Sequence, residues 1–396
     1  TDMPFFFLNY FFLKKKGVYI KGWKANNTIW NNLYWLRKLS QSETITIIIN
    51  MTTLNVAVIG TGIFAKETHL PTLKSLSNEF NVIGCYNRSV DKAEEFSQLA
   101  SCKVYKTVDE LFEDPQVDVI DVLVPNQFNL SYVELAVKHK KHIIMEKPIS
   151  ATLEDSRKIY KLSKENPDIF IGVNENWLYL KAAEILKENL PKIGKVESFT
   201  YNSTGPFVSK NKYGTAWRAH PQHIGGYLSD GGVHQLALLT EVLGPVGKIS
   251  SLTKQIRKES GTDDTCFTTC QMKEGDNVIG TYTYSSAFGQ TDKWTIFKIY
   301  GDNGSLFLNL SNKKKPYVEL NVGPNAETAD VKGEKIEFSE TEFFGVEAEF
   351  KAMHDAITKK NSYKGSVESC GHHLFIVGAI LESSSKGGSM INVEQY

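Results

Sequence analysis

Leu54-Asn-Val-Ala-Val-Ile59-Gly60-Thr-Gly62-Ile-Phe-Ala65 is the stretch that decides the fold. A short, continuously apolar run stops at two glycines one residue apart. Such a run suits a parallel strand covered on both faces. Gly60 permits the tight turn after the strand, Gly62 lets the backbone approach a diphosphate, and Ala65 is small enough for close helix–strand packing. A helix opening here aims its amino terminus at phosphate charge. The stretch therefore reads as a dinucleotide fingerprint with Ala65 in the third glycine position. Ile63 and Phe64, inside the loop, are expected to contact the cofactor with Gly60 and Gly62.

Outward from this stretch, strands and helices alternate. Strands are predicted at 81–86, 103–105, 117–124, 142–145 and 169–173, and helices at 68–76, 90–100, 130–139 and 152–165, with Ser89 placed to cap the second helix. That alternation builds a doubly wound parallel sheet. After Asn174 the texture changes. A helix is predicted at 181–189, then extended segments at 196–203, 248–256, 264–273, 277–285, 294–301 and 304–310, several of them alternating in polarity. Gly275-Asp276 and Asn303-Gly304 supply turns between them. Helices at 225–243, 344–359 and 367–384 can cover one face of the resulting sheet. The expected fold is α/β: an N-terminal Rossmann doubly wound parallel sheet over 51–173, then a C-terminal α/β domain with a mostly antiparallel open sheet over 174–396. The uncovered face of that sheet is expected to join copies of the chain into a homodimer or homotetramer.

A chain of 396 residues is long enough for two such cores. The formal net charge of zero excludes a nucleic-acid partner held mainly through phosphate contacts. Five cysteines without a CxxC pair exclude a disulfide framework and a zinc site. Cys266 and Cys270 read as buried thiols in a reducing compartment, so a cytoplasmic location is expected. Residues 1–50 stand apart. They are rich in Phe and Trp, and their seven basic residues against two acidic ones give +5, leaving −5 for the rest. The apolar run 4–13 is shorter than the roughly 20 residues a bilayer requires, so no membrane partner is expected. The segment reads as an extension outside the fold, a mitochondrial targeting segment being the alternative.

The nucleotide is chosen at the end of the second strand. A site for NAD places Asp or Glu there to accept from the ribose hydroxyl. Here the region reads Cys85-Tyr86-Asn87-Arg88-Ser89, with no acid. A guanidinium at Arg88 can fork onto a 2′-phosphate, and Asn87 and Ser89 can donate further hydrogen bonds. The reading is NADP rather than NAD.

Three further motifs follow in order: Pro125-Asn126 after the fourth strand, Glu146-Lys147-Pro148 after the fifth, and Gly225-Gly226-Tyr-Leu-Ser-Asp230-Gly-Gly-Val-His234 far downstream. Together with the fingerprint, residues 53–393 resemble the glucose-fructose oxidoreductase / inositol dehydrogenase / MocA family. The resemblance implies a bound nicotinamide nucleotide and a sugar, polyol or small carbonyl substrate. It makes Lys147 the catalytic lysine, Asp230 an active-site aspartate and His234 the acid/base, and it brings Pro125, Asn126, Glu146, Lys147 and Pro148 to the cofactor.

Residue chemistry agrees with those roles. A histidine exchanges protons near neutrality, and an ammonium at a strand's carboxyl end can polarise a carbonyl. Asp230 and His234, four apart on the predicted helix, would share a face, so that the carboxylate orients the imidazole. The Lys147–Pro148 bond is a candidate for the cis form. Trp217 and Arg218 are expected at the cofactor or substrate. His220 and His223 lack a third ligand, so no metal is expected, and His372-His373 reads as structural. Phe128 and Asn129, Asn176-Trp177 and Ala237 depart from the family's pattern and bear on substrate choice. Trp177 and Tyr179 suggest an aromatic wall. The function expected is an NADP(H)-dependent oxidoreductase. The alternative is a regulatory protein that binds the nucleotide without turnover.

Overall fold

The computed structural model describes residues 10–15, 18–23, 47–48, 52–208, 221–275, 277–328, 331 and 333–396. It divides into two compact units, Thr1–Thr53 and Leu54–Tyr396. In the first, strands β1 (Tyr10–Lys15), β2 (Val18–Trp23) and β3 (Ile47–Ile48) form an antiparallel sheet in the order β2-β1-β3.

The second unit opens on six parallel strands: β4 (Leu54–Ile59), β5 (Phe80–Tyr86), β6 (Lys103–Val104), β7 (Val119–Val122), β8 (His142–Glu146) and β9 (Ile171–Asn174). Their order is β6-β5-β4-β7-β8-β9. The chain winds outward from β4 to β6 and returns to β7, which puts the topological switch point between β4 and β7. Ligands of open α/β sheets bind there, outside the strands' carboxyl ends. Every residue of β7 and β9 is buried, as in strands covered on both faces, Asp121 and Asn174 included. The connecting helices are α1 (Leu70–Ser75), α2 (Val90–Ala100), α3 (Val108–Glu113), α4 (Asn129–His139) and α5 (Leu153–Glu165). Thr107 and Thr152 cap α3 and α5, accepting from the backbone N–H of Glu110 and Asp155. Ser89 occupies the N-cap of α2 but makes no capping bond, contrary to expectation.

The chain then adds α6 (Lys181–Asn189) and a nine-stranded sheet built on β10 (Val196–Pro206). Strand β10 pairs parallel with β13 (Ile279–Phe288) and antiparallel with β14 (Trp294–Gly301). β11 (Val246–Lys254) and β12 (Thr265–Met272) extend one side; β15 (Gly304–Asn309), β16 (Tyr317–Val322) and β17 (Glu334–Glu337) extend the other, and β18 (Ile391–Asn392) closes the edge beside β11. Sequence patterning misses the last three of these. Glu334-Lys-Ile-Glu337 is polar, and two residues of β18 carry no period. Phe199, Tyr201, Phe297, Ile299, Leu306 and Leu308 point into the core, while Leu252, Phe267, Ile279 and Trp294 of the same sheet are exposed.

The helix expected over 225–243 is two helices, α7 (Tyr227–Asp230) and α8 (Gly232–Leu243). Tight packing explains the break at Gly231. A Cβ there would lie 2.0 Å from the Tyr284 hydroxyl oxygen, and one on Gly232 3.2 Å from that of Tyr282. The last two helices, α9 (Val346–Lys359) and α10 (Val367–Ser385), return to the parallel sheet. Val346, Phe350 and Met353 share a core with Leu54, Val56 and Val58, and Val367 and Leu374 with Ile120 and Ile143. No helix among the described residues is long and apolar enough to cross a membrane.

Candidate active site

The carboxyl edge of the parallel sheet gathers nearly all the residues singled out above. Gly60 leaves β4 at φ +92°, and a Cβ there would lie 2.3 Å from the Leu123 carbonyl oxygen, so the turn requires glycine. A Cβ on Gly62 would meet nothing within 4 Å, so its backbone faces open space where a diphosphate can approach. Ala65 is fully buried. Helix begins at Ile63, earlier than the predicted residue 68. Phe64 is half-buried beside it, followed by a π-helical turn, Ala65–His69. The Asn87 side chain accepts from Thr61 N at 3.3 Å and donates to Ser89 O at 3.0 Å, tying the fingerprint loop to the loop after β5. Arg88 and Ser89 are exposed beside it.

Lys147 follows β8 directly, ahead of a cis Lys147–Pro148 bond. Its ammonium donates to Asp230 Oδ1 at 3.1 Å and to the Asp230 carbonyl oxygen. Asp230 therefore serves Lys147 and is not the carboxylate beside the imidazole. That position belongs to Glu175, which follows β9: its Oε1 lies 2.6 Å from His234 Nδ1. Glu175 is fully buried, while His234 keeps 21% of its side chain exposed. Burial opposes ionisation of Glu175, but His234, with smaller contributions from His373 and Lys147, outweighs it and holds the carboxyl below its ordinary value. Trp177 stacks on the His234 ring, centroids 5.7 Å apart and planes 23° apart. Tyr179 does not share that wall. Its hydroxyl accepts from Lys364 N, and its ring packs beside Tyr363.

Behind this edge lies a polar network that sequence patterning does not reveal. His69 is buried with both ring nitrogens engaged, Nδ1 2.7 Å from Asp121 Oδ2 and Nε2 3.1 Å from Glu146 Oε1. Burial disfavours its charge, yet Asp121 and then Glu146 overcome that and raise its pKa to about 10. Glu349 of α9 is also buried. Its carboxyl is held well above the ordinary range by burial and by Glu146 and Glu175, with Tyr363 Oη at 3.3 Å. Asn129 Nδ2 faces the carbonyl oxygens of Glu146, Pro148 and Ile149 at 3.1–3.3 Å and so grips the backbone on either side of Lys147. The one hint in the sequence was the departure at 128–129.

Asn126 is buried after β7. Its Nδ2 donates to Ser150 O, and its Oδ1 has no hydrogen-bond partner among the described residues. That orphaned acceptor, with the open face of Gly62, fits a bound dinucleotide. His223 is buried, with Nε2 3.2 Å from Gly226 O. His372 accepts from Val246 N and His373 bonds Thr240, both in the core. Trp217, Arg218 and His220 lie outside the described residues. A cavity of about 320 Å³ lined by His142, Phe170, Lys360 and Ser366 sits at the amino ends of β8 and β9, remote from this edge.

A parallel sheet in Rossmann order, a glycine loop at its switch point and paired ionisable groups at its carboxyl edge define a dinucleotide-binding protein. The family model described as "Oxidoreductase family, NAD-binding Rossmann fold" matches residues 54–174, and that of the "Oxidoreductase family, C-terminal alpha/beta domain" matches 187–393. The chain belongs to this family, the Gfo/Idh/MocA oxidoreductases. It is 48% identical over 352 residues to the uncharacterized protein YMR315W of Saccharomyces cerevisiae, spanning 87% of this chain and all of that one. D-apiose dehydrogenase of Rhizobium rhizogenes is 23% identical over 350 residues, 86% of this chain and 97% of that one. An oxidoreductase structure from Thermotoga maritima superposes with a TM-score of 0.75 at 27% identity, over 86% of this chain and 99% of that one. Levoglucosan dehydrogenase in complex with NADH has a TM-score of 0.75 at 20% identity over 87% and 100%, a likeness of fold.

Proposed function

We propose that this protein is an NADP(H)-dependent oxidoreductase acting on a sugar, polyol or small carbonyl compound, with His234 as acid/base and Lys147 polarising the substrate oxygen. One observation carries the reading: the Lys147–Asp230 and Glu175–His234 pairs meet at the carboxyl edge of the sheet, beside the fingerprint loop. A bound nicotinamide supplies the hydride acceptor or donor. In alcohol oxidation, Lys147 stabilises negative charge growing on the substrate oxygen while Asp230 holds the ammonium in place. His234, fixed through Nδ1, takes the hydroxyl proton at Nε2 and returns it to the carbonyl oxygen in the reverse direction. Gly60, Gly62, Ile63, Phe64, Pro125, Asn126, Glu146 and Pro148 would form the dinucleotide's bed, with Trp217 and Arg218 as further contacts.

The choice of NADP is supported by Arg88, exposed and without an ion pair among the described residues, and by the Ser89 hydroxyl, which is not spent on capping. D-apiose dehydrogenase and levoglucosan dehydrogenase, both similar to this chain, favour a sugar-like substrate. The exposed Leu252, Phe267, Ile279 and Trp294 favour a homodimer or homotetramer joined through the nine-stranded sheet. Five free cysteines suit the cytoplasm. The test is a fluorescence titration with NADPH and NADH, then a panel of sugars, aldehydes and ketones with the tighter nucleotide. Tighter NADPH binding and its oxidation by a panel member are expected. Tight binding without turnover, with His234→Ala no different from wild type, transfers the protein to the regulatory class.

A further inference from the structure

We propose that Glu175 is the positioning residue of the acid–base step, holding His234 in the tautomer that presents Nε2 to substrate and stabilising the ring once it is protonated. This rests on the reading of His234 as the proton carrier. The residue lies outside every motif, immediately after β9, and is brought to the imidazole across 59 positions of sequence.

Three observations carry it. The Glu175 Oε1 to His234 Nδ1 contact is 2.6 Å, short even beside charge-assisted N–H···O bonds. The same oxygen accepts from Trp177 N at 3.3 Å, so one carboxylate fixes both the ring and the indole stacked on it. Glu175 Oε2, in contrast, is buried without a hydrogen-bond partner among the described residues. A buried carboxylate with one oxygen unpaired is costly unless a cation faces it. A residue needed only to cap the turn over Asn176–Tyr179 could be Asn or Ser, without that cost. An imidazolium at His234 supplies the counter-charge.

The remaining titratable groups around the pair do not take that part. Lys147, after β8, is bound to Asp230 of α7. His373 of α10 is pushed down to about 3 by burial, despite Glu175, and stays neutral. Glu349 of α9 is a carboxyl, not a cation, and burial with Glu146 and Glu175 holds it well above its ordinary value. His234 makes no other hydrogen bond among the described residues and is 21% exposed, which leaves Nε2 open to a ligand.

The test compares wild type, Glu175→Gln, Glu175→Asp, His234→Asn and the Glu175→Gln/His234→Asn double variant in the full chain, with the substrate found by the panel. Glu175→Gln keeps the shape and removes the charge. Its kcat is expected to fall about 100-fold, the lower end of what a positioned acid–base contributes. NADPH affinity should stay within twofold, and KM should change far less than kcat, the split expected when an interaction made only in the transition state is lost. Glu175→Asp, which keeps the carboxylate, should restore most of kcat, and the double variant should be no slower than His234→Asn. Wild-type kcat in Glu175→Gln, with His234→Asn inactive, overturns the role of Glu175 alone. Full activity in His234→Asn overturns the acid–base reading beneath it. A Glu175→Gln effect confined to melting temperature assigns the residue to structure and refutes the proposal.

Discussion

Replacing His69 by Gln tests whether the buried imidazole between Asp121 and Glu146 is an ion. The ring is 1% exposed and Asp121 fully buried, so solvent does little to screen the charges. Its pKa rises from 6.5 to about 10, because the two carboxylates outweigh the cost of burial. At about 1.4 kcal/mol per unit, that shift corresponds to about 5 kcal/mol of stability. Because the folded-state value is the raised one, this contribution is complete below about pH 6.5 and is lost as pH climbs through about 10, at about 1.4 kcal/mol per unit between them. Gln can bond one carboxylate and leaves the other unpaired, a change of the size expected for breaking a buried ion pair, about 3–5 kcal/mol. Urea unfolding of wild type and His69→Gln, followed by tryptophan fluorescence at pH 6, 7, 8, 9 and 10, gives the difference directly. The gap should be widest at pH 6 and should close towards pH 10. A gap that stays constant across the series would mean that His69 is neutral in the folded protein, and the charge assignment of the whole network would fail with it.

Arg88→Ala is expected to weaken NADPH binding about 10–100-fold, the worth of one or two hydrogen bonds to a charged group, and to leave NADH binding nearly unchanged. Equal losses for both nucleotides in the fluorescence titration would remove Arg88 from the 2′-phosphate. Phe267→Glu places a charge in the middle of the exposed apolar face of the nine-stranded sheet, opposite Leu252 on β11. Sedimentation velocity should show a smaller assembly than wild type, and an unchanged one would mean that copies do not meet through this face.

What could be read in the sequence was what recurs locally. The strand before Gly60 announces itself because a buried parallel strand must be apolar throughout, and the glycines because backbone geometry admits little else there. Lys147 could be placed at a strand's carboxyl end for the same reason: the strand is four apolar or near-apolar residues long and stops. The polar edge strand β17 carries no such mark, and neither does the break at Gly231, which depends on where Tyr282 and Tyr284 of a strand some fifty residues later bring their hydroxyl groups. The pairing of charges failed for a related reason. Asp230 and His234 share helical spacing, but spacing describes only one element. Once α7 ends at Asp230, the carboxylate turns to Lys147, and the imidazole finds Glu175 from another strand.

The arrangement of charge at this edge then bears on where a proton can move. Asp121, Glu146, Glu175, Asp230 and Glu349 bring five carboxyl groups close together, which is tolerable only if each has a cation or keeps its proton. His69 is spent on Asp121 and Glu146 through both nitrogens, and Lys147 on Asp230. Burial, with Glu146 and Glu175, holds the Glu349 carboxyl well above its ordinary value, towards the protonated form. His69 has no free nitrogen with which to pass a proton to a ligand, and the Lys147 ammonium is bound to Asp230. His234 differs on both counts. Nδ1 is anchored on a buried carboxylate, Nε2 is unbonded within the described residues, and part of the ring is exposed. Gaining a proton there completes the charge balance of Glu175, and losing it leaves that carboxylate still hydrogen-bonded to Nδ1. Among these groups His234 is thus the one with a ring nitrogen open to a ligand, as the proposed acid–base role requires, while the other ionic pairs are committed to one another.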